Sequence, residues 1–436
     1  MISISRRIYY GWFIVAVAGG MEFANAASAI SILTIFVSPM AEEFNWSRTE
    51  ISGATSLGAI LGASMAPFTG RLVDRVGSRW PLALGGAAVG LACLYLAAVQ
   101  TLLGFYIAFT VSRTADQGLI KIGAAPAVGK WFQRYQGRAI ALVFSAGSAG
   151  IVVLAPVVQI VMFNWGWRAA WLVLSAVMFA LGVIPSILIV RRQPEDLGLA
   201  VDGAAAPDSI GQNMPGGNTP IAARSAAGSP QSEGEWPLAR VVRTPAFWLV
   251  LLSLFVASTS SAGITLHLVP YLTQQGLGAV AAVSVISVLS TSSALGILVL
   301  GFMAERVSPR ILLASVYLLI AVAIGVLLSA DSLTEAYSFA VIHGLASGGM
   351  NTLAPLLWAS YYGRGILGSL HGLSRAAQVA GFALGPLVLG IAYDASGTYR
   401  TALVYFAFTG LASALLILGA RRPRRAEPEL GGNMGI

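Results

Sequence analysis

Apolar residues occur along the chain in twelve blocks of roughly twenty residues, and short polar stretches separate the blocks. About twenty residues of α-helix, each rising about 1.5 Å, are enough to cross the hydrocarbon core of a bilayer. The pattern therefore predicts twelve transmembrane helices, which we number spans 1 to 12. Their predicted bounds are roughly 10–37, 50–70, 80–99, 101–127, 137–160, 168–190, 246–272, 279–303, 310–330, 333–360, 367–391 and 399–420.

The composition agrees with a chain embedded in lipid. Of the 436 residues, 56% are hydrophobic and 10% are charged, and the mean hydropathy is +0.77, whereas a soluble domain has about a quarter charged residues. These values exclude a soluble enzyme, a nucleic-acid-binding domain and a secreted disulfide scaffold. Cys93 is the only cysteine, and the sequence has neither metal-site spacing nor a Walker-type phosphate loop. We therefore expect an all-α membrane protein without metal or cofactor.

The 26 lysines and arginines are distributed unequally between the two sides of the predicted membrane domain. Twenty lie on the side with both chain ends, three on the other side and three within helices. We call the first side the basic face, and by the positive-inside rule it is cytoplasmic. We therefore expect a multi-pass protein of a bacterial-type inner membrane with both termini inside. Arg6 and Arg7 precede an apolar run that is too long for a signal peptide.

The sequence contains an internal repeat with an offset of about 230 residues. The segment 70–79, GRLVDRVGSR, returns at 301–310 as GFMAERVSPR, and Gly137 returns as Gly368. Such spacing predicts two pseudo-symmetric six-helix halves. The predicted domains are a bundle at 1–190, a flexible cytoplasmic linker at 191–243, a second bundle at 244–420 and a cytoplasmic tail at 421–436.

The segment 70–79 matches the signature G-x-L-x-D-R-x-G-x-[RK] of the major facilitator superfamily, and the whole chain except its linker and tails resembles that family. The resemblance implies transport by alternating access. It also implies that the acids and arginines of the two repeated loops hold the cytoplasmic side closed. The gating residues would then be Asp74, Arg75, Glu305 and Arg306. Topogenic charge alone is the alternative for these four residues.

Less specific sequence motifs resemble those of the oxalate/formate antiporter and monocarboxylate transporter branch of that family. They are GWR at 166–168, RRQPEDLG at 191–198, RTPAFW at 243–248, HLVPY at 267–271, and GP at 385–386 with YD at 393–394. The resemblance implies a carboxylate substrate. That branch commonly carries a substrate-binding arginine in span 8, whereas residues 279–303 of this chain contain no charged residue.

Span 4 contains three of the few ionisable residues predicted to lie at bilayer depth. Arg113, Gln117 and Lys121 are spaced i, i+4, i+8 and share one stripe of a helix. Asp116 could neutralise Arg113, as a structural or a functional pair. The superfamily often has an arginine here followed by Gln-Gly in a motif linked to proton coupling, and the spacing in this chain is one residue longer. Lys121 either lines the cavity, snorkels or pairs with a carboxylate on another helix.

Span 11 contributes the predicted anion anchor. His371, Arg375 and Gln378 share one face, and a guanidinium offers a planar fork of donors to a carboxylate. We predict that Arg375 binds the substrate, together with Lys121 and Gln378. The alternative for Arg375 is a structural pair with an acid across the cavity. Asn351 in span 10 and Phe144 in span 5 are further candidates for the cavity lining, and core packing explains these two equally well.

Glu22 in span 1 and His343 in span 10 are the predicted titratable groups of the pathway. Glu22 shares a face with Asn25 and could carry a proton, contact a substrate cation or link to a basic residue. His343 is the repeat equivalent of Arg113. The predicted proton-coupling set is therefore Glu22, Asp116, Arg113 and His343. A structural, hydrogen-bonded role is favoured for His267 and His371.

The predicted membrane-embedded charges are three cations and two acids, a balance that favours an anionic substrate. We therefore predict a monomeric secondary transporter of a small mono- or dicarboxylate, coupled to protons by symport and surrounded by lipid. A proton-driven exporter of drugs or other hydrophobic compounds is the nearest alternative, and a membrane sensor without turnover is a more distant one. A membrane enzyme would need a cluster of catalytic groups, and none stands out.

Overall fold

The helices of the computed structural model follow the apolar blocks of the sequence. The structure describes residues 9–46, 48–203, 236–396 and 398–423. In the first half, span 1 comprises Gly11–Ala24 and Ile30–Phe44, span 2 is Arg48–Val76, span 3 is Arg79–Leu96, span 4 comprises Leu102–Ala115, Asp116–Ile120 and Lys121–Gly129, and spans 5 and 6 share the stretch Gln136–Ile189. In the second half, spans 7 to 12 are Pro245–Gln274, Ala279–Met303, Pro309–Leu328, Leu333–Tyr362, Leu367–Ser396 and Arg400–Gly419. The all-α prediction with two six-helix halves is confirmed.

Several spans contain a local break in the α-helix. Gly166 has φ 81° and separates span 5 from span 6, a conformation that only glycine adopts without strain. Span 1 passes through a short 3-10 turn, Asn25–Ser28, and span 4 passes through a π-helical turn, Asp116–Ile120. Such turns leave backbone groups without their α-helical partners. In span 1, the Arg113 guanidinium donates to the freed Ser28 carbonyl at 3.2 Å.

Within the described residues, six helical stretches are long and apolar enough by themselves to cross a membrane. They are Arg79–Leu96, Gln136–Ile189, Pro245–Thr265, Ser284–Met303, Pro309–Leu328 and Arg400–Gly419. Gly166 divides the second stretch into two spans. The remaining spans are 1, 2, 4, 10 and 11, and the five charged residues that the sequence places at bilayer depth all lie in three of them, spans 1, 4 and 11. The polarity of these helices therefore coincides with the candidate site.

The two halves touch through two pairs of glycines on the basic face. A Cβ atom on Gly70 would lie 2.3 Å from the carbonyl oxygen of Gly368, and one on Gly137 would lie 2.2 Å from that of Gly301. The repeat relates the two pairs to each other, because Gly301 corresponds to Gly70 and Gly368 to Gly137. Span 2 therefore meets span 11 as span 8 meets span 5, and both contacts depend on the absence of a side chain.

Two acids cap helices of the opposite half beside these glycines. Asp74 accepts hydrogen bonds from the backbone N–H groups of Gly368 and Ser369, both at 2.7 Å, in the first turn of span 11. Glu305 accepts from the backbone N–H of Arg138 at 3.2 Å and from its Nε at 2.7 Å, in the first turn of span 5. A carboxylate at a helix N-terminus is stabilised by the helix dipole. The basic face is therefore closed in this conformation.

The arginines of the two repeated loops do not take part in this closure. Arg75 and Arg306 are exposed, and their side chains make no hydrogen bond or ion pair within the described part of the chain. Arg138 and Arg364 contact the opposite half in their place, since the Arg364 guanidinium donates to the carbonyl oxygen of Lys130. The sequence motif therefore locates the acids of the closure but not its arginines.

Both ends of the predicted linker pack against the basic face. After the short turn Pro194–Leu197, the Asp202 carboxylate accepts from the backbone N–H groups of Gln133 at 3.1 Å and Arg134 at 2.8 Å. At the other end, Trp236 is buried against Tyr362, with 5.5 Å between ring centroids. The middle of the linker, 204–235, and most of the tail, 424–436, lie outside the described residues.

Candidate functional site

Polar side chains from spans 1, 4 and 11 meet between the two faces of the protein. These spans belong to both halves, so the site lies where the halves adjoin. We call this group the polar cluster. Its members are Glu22, Asn25, Arg113, Asp116, Gln117, Lys121, His371, Arg375 and Gln378.

Asp116 is the most completely bonded member of the polar cluster. Its carboxylate accepts from Asn25 Nδ2 at 2.6 Å, Arg113 Nη1 at 2.8 Å and Gln117 Nε2 at 2.7 Å. The side chain is buried, and a buried carboxylate requires such compensation. The predicted pair of Arg113 and Asp116 is therefore present, and Asp116 fixes the orientation of three neighbouring side chains.

Glu22 and Lys121 form the second ion pair of the polar cluster. Lys121 Nζ donates to Glu22 Oε2, which joins span 4 to span 1. Of the three alternatives for Lys121, the structure has the pair with a carboxylate on another helix. Glu22 is 1% exposed, and its second oxygen, Oε1, has no hydrogen-bond partner among the described residues. The Lys121 side chain remains 29% exposed, so this pair is accessible from one side.

Arg375 differs from the other two cations because neutral groups bind it. Its Nε and Nη2 donate to the same oxygen, Gln117 Oε1, at 3.2 and 2.6 Å, and its Nη1 donates to Gln378 Oε1 at 3.3 Å. The guanidinium carbon lies 6.0 Å from the centroid of the Phe382 ring. No ion pair of Arg375 occurs among the described residues. The described part of the structure therefore does not contain the alternative arrangement, in which Arg375 forms a structural ion pair with an acid across the cavity.

The charges of the polar cluster do not balance. Asp116 neutralises Arg113, and Glu22 neutralises Lys121. Arg375 has no carboxylate within ion-pair distance among the described residues, and the cluster carries one net positive charge when both acids are ionised. In a site of low dielectric constant, such a charge attracts an anion more strongly than it would in water.

Comparison with known proteins agrees with the helical architecture. The profile of the Major Facilitator Superfamily matches residues 13–336 and 285–433. The chain belongs to this superfamily. It is therefore a multi-pass membrane transporter and not an enzyme. It is 26% identical to monocarboxylate transporter 12-B of Danio rerio, over 94% of this chain and 86% of that one, and 23% identical to monocarboxylate transporter 11 of Mus musculus, over 95% and 88%. A solved structure of the superfamily transporter FucP in the outward conformation has a TM-score of 0.72, at 14% identity over 95% of this chain and 100% of that one.

The histidines of this superfamily member lie at three separate places. His371 Nε2 is 3.1 Å from the carbonyl oxygen of Lys121, at the edge of the polar cluster. His343 is buried against Phe339, and neither of its ring nitrogens has a partner among the described residues. His267 lies against Tyr399, with 5.5 Å between ring centroids. Only His371 therefore contacts the cluster.

Two predicted lining residues are not joined to the polar cluster. Asn351 occupies an exposed position of span 10, and Phe144 is half-buried against the apolar core of the first half. No described hydrogen bond connects Asn351 to the cluster. Within the described part of the chain, no group of histidine, cysteine and acidic residues could hold a metal ion.

Asn25 and Gln117 make contacts that the sequence alone does not assign. The sequence places Asn25 on the face of Glu22 and Gln117 on the stripe of Arg113, without indicating which side chains they bind. In the structure, Asn25 supports Asp116, and Gln117 joins Asp116 to Arg375. The signal was available, because an uncharged polar residue on the same face as a membrane-embedded charge is the nearest source of hydrogen bonds for it.

Proposed function

We propose that this superfamily member transports a small organic anion, a mono- or dicarboxylate, by proton-coupled symport with alternating access of its two halves. The observation that carries the proposal is the Arg375 guanidinium, which has no carboxylate partner among the described residues and lies at the boundary between the halves. A guanidinium binds a carboxylate through two parallel hydrogen bonds and stays charged at any accessible pH. The names of the monocarboxylate transporter relatives support the substrate class.

Lys121 and Gln378 complete the proposed anion site. Gln378 helps to orient the guanidinium, because its Oε1 accepts a hydrogen bond from Arg375 Nη1 at 3.3 Å. Lys121 is paired with Glu22, but its side chain is part-exposed and can turn towards a second carboxylate when Glu22 is neutral. Asn351 and Phe144 are assigned to the wider lining of the pathway, where they contact the remainder of the substrate.

Glu22 is the proposed site of proton uptake. Among the proposed proton-coupling residues, it is the acid with an oxygen that accepts no hydrogen bond from the described residues. Protonation there removes the counter-charge of Lys121 and makes the cluster more positive, so that proton and anion binding reinforce each other. Asp116 and Arg113 hold the surrounding side chains in place, and His343 is a second, separate titratable group.

The basic face is proposed to be cytoplasmic, as the distribution of lysine and arginine favours. The closed basic face then corresponds to a conformation that receives substrate from outside. Asp74 and Glu305 stabilise this conformation through the N-termini of spans 11 and 5. Arg75 and Arg306 would act in other conformations or through membrane topology. A bacterial-type inner membrane and a functional monomer complete the proposal.

The proposal is tested by measuring ligand-induced thermal stabilisation of the purified protein and uptake into proteoliposomes. A carboxylate that binds the folded state stabilises it by about 2.7 kcal/mol at a hundredfold excess over Kd. We expect this shift with wild type, none with Arg375→Gln, and an unchanged shift with Arg71→Gln, which removes an exposed arginine outside the cluster. Carboxylate binding that survives Arg375→Gln would refute the anchor. Transport of lipophilic cations by wild type and by Arg375→Gln would favour the alternative function, a proton-driven exporter of hydrophobic compounds.

A further inference from the structure

Gln117 occupies the edge of Arg375 that a carboxylate would use. The Nε and Nη2 groups of Arg375 form one side of the guanidinium fork, and both donate to the single oxygen Oε1 of Gln117. A carboxylate on this side would accept the two N–H groups with two separate oxygens. The amide oxygen of Gln117 therefore stands where one substrate oxygen would lie.

Gln117 is held in this position by Asp116 and lies in a space that a glycine of span 2 leaves open. Its Nε2 donates to Asp116 Oδ2 at 2.7 Å, and Asp116 is in turn bound by Arg113. A Cβ atom on Gly62 of span 2 would lie 2.6 Å from Gln117 Cβ, so this glycine provides the space in which the side chain lies. Gln117 is 6% exposed. The position of the Gln117 amide is therefore fixed by its burial and by its hydrogen bond to Asp116.

The competition at Arg375 favours charged ligands over neutral ones. A neutral ligand such as an amide or an alcohol would replace one neutral oxygen by another and gain little. A carboxylate adds a negative charge, which attracts the guanidinium, and a second acceptor oxygen, which allows two parallel hydrogen bonds. Only the charged ligand therefore compensates the loss of the contact with Gln117.

We propose that Gln117 is an internal neutral occupant of Arg375 that the substrate carboxylate must displace, so that it weakens binding of every ligand at this edge and leaves measurable affinity only for an anion. This inference rests on the proposed function, because it requires Arg375 to bind the substrate. Gln117 belongs to the first half and Arg375 to the second, so displacement also removes a hydrogen bond between the halves at the depth of the site.

The test compares acids with their amides of the same shape. The probes are acetate and acetamide, L-lactate and L-lactamide, and benzoate and benzamide, with Kd measured on purified full-length protein by thermal shift and calorimetry. For the acid that binds wild type, we expect Kd to fall at least tenfold in Gln117→Ala, because the acid no longer has to displace the amide. The Kd of the matching amide should fall by the same factor, because the displacement cost is common to both ligands. We expect Gln117→Glu to raise the Kd of the acid at least tenfold, because its carboxylate occupies Arg375.

Three further variants separate displacement from folding. Gln117→Asn retains the amide but shortens the side chain by one methylene, and it should lower the Kd of the acid as Gln117→Ala does if the alanine variant does not fold. Gln274→Ala and Gln274→Glu are matched controls at an exposed glutamine, and they should leave the Kd of the acid unchanged.

The outcomes distinguish this inference from the proposed function. An unchanged Kd of the acid in Gln117→Ala and Gln117→Asn, with acid binding still abolished by Arg375→Gln, would overturn the inference and leave the anion site intact. Acid binding to wild type that does not depend on Arg375, or no acid binding at all, would overturn both proposals.

Discussion

Replacing Gly70 by alanine should open the basic face of the transporter. The added methyl group would lie 2.3 Å from the carbonyl oxygen of Gly368, where ordinary contacts begin at 3.4 Å. The neighbouring atoms belong to the backbone of span 11, so no flexible side chain can yield. Span 2 and span 11 must therefore separate by about 1 Å to accommodate it.

The magnitude follows from the cost of overpacking a close helix contact. Inserting a methylene into a well-packed interior destabilises it by about 1–3 kcal/mol. The same free energy here applies only to the conformation in which the two glycines touch. It should therefore shift the ratio of closed to open basic face by about 5- to 150-fold, at about 1.4 kcal/mol for each factor of ten. Gly137→Ala should act similarly, because its methyl group would lie 2.2 Å from Gly301 O.

The assay measures the distance between two spin labels across the basic face by pulsed electron paramagnetic resonance. Spin labels are attached to cysteines at Gln133 in the first half and Ser308 in the second, both exposed, in a Cys93→Ser background. Gly70→Ala and Gly137→Ala should broaden the distribution towards longer distances. Gly325→Ala is the matched control, because a Cβ there has no atom within 4 Å. A wild-type distribution in both interface variants, or the same shift in Gly325→Ala, would refute the reasoning.

Two further predictions concern the ion pairs. Glu22→Gln should impair uphill accumulation of substrate in proteoliposomes more than exchange, since only accumulation requires the proton; equal loss of both would assign Glu22 a structural role. Arg113→Gln should destabilise the protein by about 3–5 kcal/mol in denaturant unfolding, because it leaves the buried Asp116 without its cation. Arg168→Gln, which breaks an ion pair whose side chains are 43% and 39% exposed, should change stability by less than about 1 kcal/mol. Similar losses for the two arginine variants would contradict this difference.

The fold was predictable because it depends on patterns that are local or repeated. Apolar blocks determine where each helix lies, and the repeated segments at 70–79 and 301–310 reveal the duplication. The repeat does not indicate which surfaces of the two halves contact each other. Asp74 and Glu305 were recognisable as equivalent, but their partners lie in the opposite half, almost 300 and 170 residues away. Such contacts depend on how the halves pack, and no spacing along the chain encodes this.

The polar cluster was predictable in its members but not in its connections. Periodicity placed Arg113, Gln117 and Lys121 on one stripe of span 4. In the structure, the first binds Asp116, the second reaches Arg375 on span 11, and the third binds Glu22 on span 1. Each contact depends on the distance between helices and on side-chain rotamers. The count of membrane-embedded charges in the sequence shows a surplus of positive charge, but only the structure identifies Arg375 as the cation without an ion pair among the described residues.

The π-helical turn Asp116–Ile120 gives the unusual spacing of span 4 a physical meaning. A π turn closes its hydrogen bonds between residues five apart instead of four, so it takes up one residue more than an α-helical turn. The interval from Arg113 to Gln117 is one residue longer than in the superfamily motif that this region resembles. The π turn begins within this interval, at Asp116, and a wider turn at this point accommodates one extra residue between the α-helical segments Leu102–Ala115 and Lys121–Gly129.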